Sequence, residues 1–171
     1  WDPAGGDVDI PDIPAPKTLS DDEIMEAAKA LRNSDSAALF MGGHALRESG
    51  LIQAGRIAEV TGARLITETF FTRQQRGVGR VETERLPYFG EMAAEHLQGL
   101  DTLVIVGSKP PVSFFAYPGK PGWLSPEGSS LLQMGDHGVD AIDTLTRLAD
   151  ALGAPSEVKN VAQRVEHALE T

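Results

Sequence analysis

The sequence predicts an α/β protein, a three-layer arrangement in which a parallel sheet carries helices on both faces. Three observations predict it. The run Thr102–Val106 is apolar and β-branched with no polar alternation, the pattern of a strand buried on both faces. A similar run at Ala37–Met41 is followed by an amphipathic stretch and a further short apolar segment, Arg64–Glu68, a strand, helix, strand unit of about thirty residues whose parallel strands need a right-handed crossover. The strand-like runs end at glycines, Gly42-Gly43, Gly107 and Gly135, and in such sheets ligands bind beyond the carboxyl ends of the strands.

Taken in order, residues 1–17 hold four prolines, four aspartates and two glycines with no period, and read as an extended interdomain linker on a surface. A domain is expected over 18–155. Ser20-Asp-Asp-Glu23 is a capping box, and the helix after it should bury Ile24, Ala27, Ala28 and Leu31. Glu48–Thr61 is expected as a helix packed through Leu51, Ile52, Ile57, Ala58 and Val60, with Gly62 placed to end it. Thr69–Leu86 has no apolar period, carries Arg73, Arg76, Arg80 and Arg85 around Gly77 and Gly79, and reads as a mobile or ligand-facing loop. Pro87–Leu97 is a third helix. The loop 107–128 contains five prolines together with Phe114, Phe115, Tyr117 and Trp123, and loops of this length are usually functional or contact another domain. Ser130–Met134 is a further strand, Val139–Leu152 a helix on Ile142, Leu145, Leu148 and Leu152, and 156–171 a C-terminal helix or linker, its helix spanning Glu157–Leu169.

The 171 residues fit one domain. A formal net charge of −10 argues against a surface that neutralises nucleic-acid phosphates, and the apolar runs are too short to cross a bilayer, so neither nucleic acid nor membrane is an expected partner. The absence of cysteine removes disulfides, thiol nucleophiles and thiolate metal sites, in keeping with a cytoplasmic protein. No secretory signal is visible, and a chain that opens Trp1-Asp2-Pro3 reads as a piece of something longer.

The candidate binding residues are those at the strand ends. Gly42 and Gly43 let a backbone approach a phosphate, or simply make a tight turn; the full Gly-x-Gly-x-x-Gly spacing is missing. Arg73 and Arg76 belong to a basic patch on an acidic chain that either holds an anion or is solvated loop charge. Gly107, Ser108 and Lys109 sit where anions tend to bind, and Asp136 either accepts from a ribose hydroxyl or caps the next helix. The aromatic loop either stacks on an adenine or flavin ring or buries itself against a neighbouring domain. His44, His96, His137 and His167 lack zinc-ligand spacing, and no nucleophile triad or carboxylate pair can be defended from spacing, so no catalytic residue or metal ligand is assigned.

Ala38-Leu-Phe-Met-Gly-Gly43, Leu86-Pro-Tyr-Phe-Gly-Glu91 and Leu103-Val-Ile-Val-Gly-Ser-Lys-Pro-Pro-Val-Ser-Phe-Phe-Ala-Tyr-Pro-Gly-Lys-Pro121 together resemble the middle domain of thiamine-diphosphate-dependent enzymes. The likeness is to acetolactate-synthase-like large subunits, in the branch akin to benzoylformate decarboxylase, and it covers roughly residues 17–154. The resemblance implies a six-stranded, Rossmann-like parallel sheet of the deoxyhypusine-synthase-like type. It also implies thiamine diphosphate and magnesium held by other domains, between a pyrimidine-binding domain before and a diphosphate-binding domain after, in a parent that is a dimer or tetramer. Such parents decarboxylate a 2-oxo acid such as pyruvate and join the remainder to a second carbonyl compound, or simply decarboxylate. The magnesium and diphosphate signature is absent, with Gly135-Asp136-His137 only an echo of it, so this chain alone is expected to be inactive.

Some members bind FAD or ADP in this domain; the matching positions are Gly42, Gly43, the Arg73–Arg80 loop, Gly107, Ser108, Lys109 and Asp136. Flavin-binding synthases typically follow the strand-end glycine with an arginine and acidic residues, whereas this chain has Gly107-Ser-Lys-Pro-Pro-Val, and an empty or weak cleft is expected. Two other readings stay open: a stand-alone adenine-nucleotide or flavin-binding module, and an NAD-binding use of the same fold.

Overall fold

A computed structural model describes residues 5–6, 9–135 and 138–164. Helix α1 (Asp21–Asn33) begins at the expected capping box, with the Ser20 Oγ accepting from the Glu23 N–H and the Glu23 carboxylate accepting from the Ser20 N–H at 2.8 Å. Asp21, Asp22 and Glu23 place negative charge on its amino-terminal turn, where the helix dipole favours it. Strand β1 (Ala37–Met41) runs down the middle of the sheet. After a 3₁₀ turn over Gly43–Leu46 come α2 (Glu48–Thr61) and β2 (Arg64–Thr67), then β3 (Glu84–Arg85), α3 (Gly90–Leu97), β4 (Thr102–Val106), β5 (Ser130–Gln133) and α4 (Ala141–Ala151).

All strand pairings are parallel, in the order β3-β2-β1-β4-β5. The described residues thus form five strands where about six were expected; the α/β class, the parallel sheet and the helices on both faces are as the sequence predicts. The unbroken apolar runs follow from the two-sided burial. Leu39, Met41, Val104 and Val106 point into one core with α1, α2 and α4, while Ala38, Phe40, Leu103 and Ile105 point into a second core with α3. Every residue of β1 and β4 is buried.

Several boundaries move for local reasons. Helix α2 buries Leu51 and Ile57 as expected, but turns Gly50, Ala54 and Gly55 inward and leaves Ile52 (39% exposed) and Val60 (45%) at the surface. A Cβ on Gly50 would lie 2.5 Å from the Ala45 carbonyl oxygen, so the helix packs through its smallest residues. Gly62 ends it in the left-handed conformation, its N–H donating to the Ala58 carbonyl. Helix α3 starts at Gly90, with Phe89 in the extended conformation as its N-cap residue. Helix α4 starts at Ala141, where the Asp140 carboxylate accepts from the N–H groups of Ile142 and Asp143, both at 3.0 Å. Val139 is instead part of a bridge to Lys17, so the end of the amino-terminal linker is tied to the connection between β5 and α4 while residues 9–16 are exposed.

The helix expected over Glu157–Leu169 is not formed in its described part. Residues 157–164 form no helix, and Val161 bridges Val81 in the antiparallel sense, with Ala162 donating to the Arg80 carbonyl and Gly79 to the Ala162 carbonyl. The apolar residues that suggested a helical stripe, Val158 and Val161, lie against the α2 side of the core in a non-helical segment. Residues 165–169 lie outside the described residues.

Candidate functional site at the carboxyl ends of the strands

β1 and β4 are sequence-distant neighbours at which the strand order reverses, so their carboxyl ends form the switch-point crevice of the sheet. Gly42 and Gly107 lie on its floor. The Gly42 N–H donates to the Val106 carbonyl at 3.0 Å, and Gly107 takes φ +66°. Their backbones are so close that a Cβ on Gly42 would lie 2.7 Å from the Gly107 oxygen, and a Cβ on Gly107 would lie 2.7 Å from the Gly42 oxygen.

Ser108 is buried, and its hydroxyl lies 3.3 Å from the Glu68 carboxylate, which projects from the end of β2. The amide of Gln133 fixes this corner from β5, donating to the Ser108 carbonyl at 2.9 Å and to the Gly135 carbonyl at 2.6 Å. Lys109, next in the chain, is exposed.

Two cavities flank this floor. On the α3 side a cavity of about 290 Å³ is lined by Glu68, Phe70, Tyr88, Ser108, Lys109 and Phe114, among others. Its rim continues into a network of ring contacts. Phe114 stands 5.0 Å from Phe70 and 4.7 Å from Phe115, Tyr88 contacts Phe70 and Phe89, and Tyr117 follows at 5.8 Å from Phe115. All six rings are exposed. On the opposite side of the sheet a cavity of about 220 Å³ is lined by Gly43, His44, Arg47, Thr72, Gly107 and Ala141, with Val139 beside them.

The structure therefore brings Gly42, Gly43, Gly107 and Ser108 together and places Lys109 on the α3 side. Arg73 and Arg76 are exposed and line neither cavity. Other arginines of the same loop region are engaged within the fold: Arg80 pairs with Glu48, and Arg85 donates to the Thr69 carbonyl while lying over the Phe71 ring. Asp136 lies outside the described residues. The residue that sequence reasoning missed is Arg47. An arginine at a helix start carries no distinctive pattern, and only the turn over Gly43–Leu46 brings it to the crevice.

The nearby Arg64, Glu84 and His96 form a separate edge cluster. Arg64 donates to Glu84 and to the His96 carbonyl, and His96 Nε2 lies 3.1 Å from the same carboxylate. The hydrogen bond from Arg64 holds the Glu84 carboxyl below its ordinary range. Among the described residues no group of three or more histidine, aspartate or glutamate side chains is placed to hold a metal ion. No helix among them is long and apolar enough to cross a membrane.

Fold and crevice together define a doubly wound parallel α/β domain. The chain is 43% identical over 150 residues to the Mycobacterium tuberculosis protein named "Putative acetolactate synthase large subunit IlvX", which makes it a homologue of part of that protein. The match takes in 88% of this chain and 29% of that relative's length. No protein-family model matches. In fold, the chain is similar to the thiamine diphosphate-dependent 4-hydroxybenzoylformate decarboxylase of Rhodococcus jostii RHA1, with a TM-score of 0.62 and 19% identity over 94% of this chain and 33% of that one. It is also similar to the benzoylformate decarboxylase of Polynucleobacter necessarius, with a TM-score of 0.55 and 19% identity over 100% of this chain and 34% of that one.

Proposed function

We propose that this chain is the central, non-catalytic domain of a thiamine-diphosphate-dependent, acetolactate-synthase-like enzyme. The observation that carries the reading is the 43% identity to less than a third of a protein named as an acetolactate synthase large subunit. In such a parent, thiamine diphosphate held by other domains would supply the chemistry for decarboxylating a 2-oxo acid such as pyruvate, with carboligation or simple decarboxylation as the outcome. The residues of this chain do structural work instead. The sheet sets a rigid platform, and the exposed rings of Phe70, Tyr88, Phe114 and Phe115 offer a contact surface for the other domains or subunits of the parent. Gly42, Gly43, Gly107 and Ser108 keep the crevice floor open to a nucleotide such as ADP, with Arg73, Arg76 and Lys109 further out.

The test has two stages. An antibody raised against this chain is used to size the native polypeptide, and the polypeptide so identified is assayed for thiamine-diphosphate-dependent consumption of pyruvate. A polypeptide several-fold heavier than 18.3 kDa that consumes pyruvate only with the cofactor supports the reading. A native polypeptide of this chain's own mass, or a larger one indifferent to the cofactor, overturns it.

A further inference from the structure

Residues 9–16 carry a three-residue repeat that the fold leaves unused. They read Asp9-Ile10-Pro11, Asp12-Ile13-Pro14, Ala15-Pro16, and they form no helix or strand. Proline fixes its own φ and pushes the residue before it out of the helical region, so Ile10, Pro11, Ile13, Pro14, Ala15 and Pro16 all favour polyproline II. That helix has three residues per turn, which sorts the repeat by chemistry: Ile10, Ile13 and Pro16 share one edge, and Asp9 and Asp12 share another. Ile10 is 89% exposed and Ile13 94%, the most of any large hydrophobic side chain among the described residues. A solvated linker has no need of two isoleucines in register; a docking segment does.

The same chain carries a surface of the complementary kind. Aromatic-lined grooves take up polyproline II segments because such a helix is ordered in advance and its carbonyls have no internal partner. Phe70, Tyr88, Phe114, Phe115 and Tyr117 are exposed and in contact. Tyr88 and Phe114 line two hollows, one of about 290 Å³ shared with Phe70 and one of about 60 Å³ shared with Phe115 and Tyr117. Ile10 and Ile13 stand about 9 Å apart along a polyproline II helix, so two side chains can enter two neighbouring hollows. The Tyr88 and Tyr117 hydroxyls make no hydrogen bond among the described residues and can donate to the carbonyls of such a segment. Charge matches as well. Lys109, Asp9 and Asp12 form no ion pair among the described residues, whereas the carboxylates at the ring surface are engaged, Glu68 with Ser108 and Glu91 with Lys120.

We propose, resting on the reading of these rings as a contact surface, that residues 9–16 of one chain dock as a polyproline II arm on the rings of a second copy. Ile10 and Ile13 enter the two hollows, Asp9 and Asp12 face Lys109, and the second copy returns its own arm about a twofold axis. The arm does not cover its own rings, since both isoleucines are exposed. Lys17 fixes where it leaves the fold, donating to the Gly138 carbonyl at 2.9 Å and accepting from the Asp140 N–H at 2.8 Å. Eight residues fall short of the roughly 20–30 that each side of a standard interface contributes, so reciprocal exchange, with each copy giving both arm and rings, is what a stable pair needs.

The test is sedimentation equilibrium of the full chain over a range of concentrations. A reversible monomer–dimer equilibrium is expected, weakened about tenfold or more in the double variant Ile10→Ser, Ile13→Ser. Both side chains are exposed, so this variant should unfold at the wild-type denaturant concentration. A synthetic peptide of residues 9–17, added in excess, should return the wild-type dimer to monomer and shift the ring resonances of Tyr88, Phe114 and Phe115. The same peptide carrying Ile10→Ser and Ile13→Ser should do neither. A dimer that survives the arm variant and is lost in Phe114→Ser, Phe115→Ser overturns the arm and leaves the rings as a contact surface. A dimer indifferent to both variants overturns the arm and that reading of the rings together. A chain that stays monomeric at every concentration overturns the exchange, whether or not the peptide binds.

Discussion

Gly42 and Gly107 touch backbone to backbone where β1 and β4 end, each so close that a Cβ on one would lie 2.7 Å from the carbonyl oxygen of the other. This contact lets neighbouring strands stop together and opens the crevice above them. Gly107→Ala must tolerate both a left-handed backbone, about 1–2 kcal/mol, and an overlap with main chain that cannot swing aside, about 1–3 kcal/mol more. Gly62→Ala is the control. Gly62 has φ +71° but nothing within 4 Å of an added Cβ, so only the conformational cost applies. Denaturant unfolding should show Gly107→Ala losing roughly twice as much stability as Gly62→Ala, or more. Equal losses would mean that the crevice floor relaxes and that the close approach is not required.

Gly55 makes a second close approach, in the middle of α2. A Cβ there would lie 2.8 Å from Val158 and 2.9 Å from Val81, the side chains through which the carboxyl-terminal segment and the strand-like segment at Val81 lean on the helix. In a free helix Gly55→Ala would gain about 1 kcal/mol of propensity. Here the added methyl should push Val158 outward and loosen the Val81–Val161 bridge. Hydrogen exchange at Gly79 and Ala162, whose amides bond across that bridge, should quicken in Gly55→Ala while exchange in β1 and β4 stays slow.

The strands and helices were legible where one periodicity holds over a whole element. β1 and β4 have every residue buried, so both faces demand apolar side chains, and the capping box at Ser20 states its geometry in four residues. β3 was not legible, because it is two exposed residues, Glu84 and Arg85, whose pairing to Ile66 and Thr67 is set by the sheet edge and not by their own pattern. The carboxyl-terminal segment misled because Val158 and Val161 fit a helical stripe, while the partner that pairs with Val161, Val81, is distant in sequence. The strand-end glycines of the site could be read because backbone approach requires them. Arg47 could not, since only the folded turn over Gly43–Leu46 brings it to the crevice.

The capping box gives a direct stability test. Ser20→Ala removes the acceptor of the Glu23 N–H and frees the Glu23 carboxylate, whose pKa the Ser20 hydroxyl holds below its ordinary value. A loss of about 1 kcal/mol is expected in denaturant unfolding, with Ser20→Asp recovering most of it.

Glu84 predicts a pH dependence. Its carboxyl is held below the ordinary value of 4.5 chiefly by the hydrogen bond from Arg64, so the folded state binds its proton more weakly than the unfolded chain does. The contribution is therefore complete above that value and is lost as pH falls through the lower folded value. Both side chains are substantially exposed, which limits it to roughly 0.2–1 kcal/mol. Glu84→Gln should be less stable than the wild type at neutral pH, and the gap should close as pH drops below about 4. A gap that persists in acid would assign the loss to packing instead of charge.

The last prediction concerns the rings of Phe70, Tyr88, Phe114 and Phe115. A monomeric protein rarely leaves so many large apolar side chains side by side in water, and these contact one another more than they contact the core. Phe114 is 63% exposed, so its replacement should forfeit little buried apolar area. If the surface is built to be covered, the double variant Phe114→Ser, Phe115→Ser should unfold at nearly the wild-type denaturant concentration while binding less of an apolar dye and showing less concentration-dependent association by light scattering. If the rings instead hold the 107–128 loop in place, the same variant should lose stability by several kcal/mol, on the order of a core substitution, and its association should rise as the loop comes free. The two outcomes differ in sign as well as size, so one preparation measured by unfolding and by scattering distinguishes a docking surface from a structural cluster.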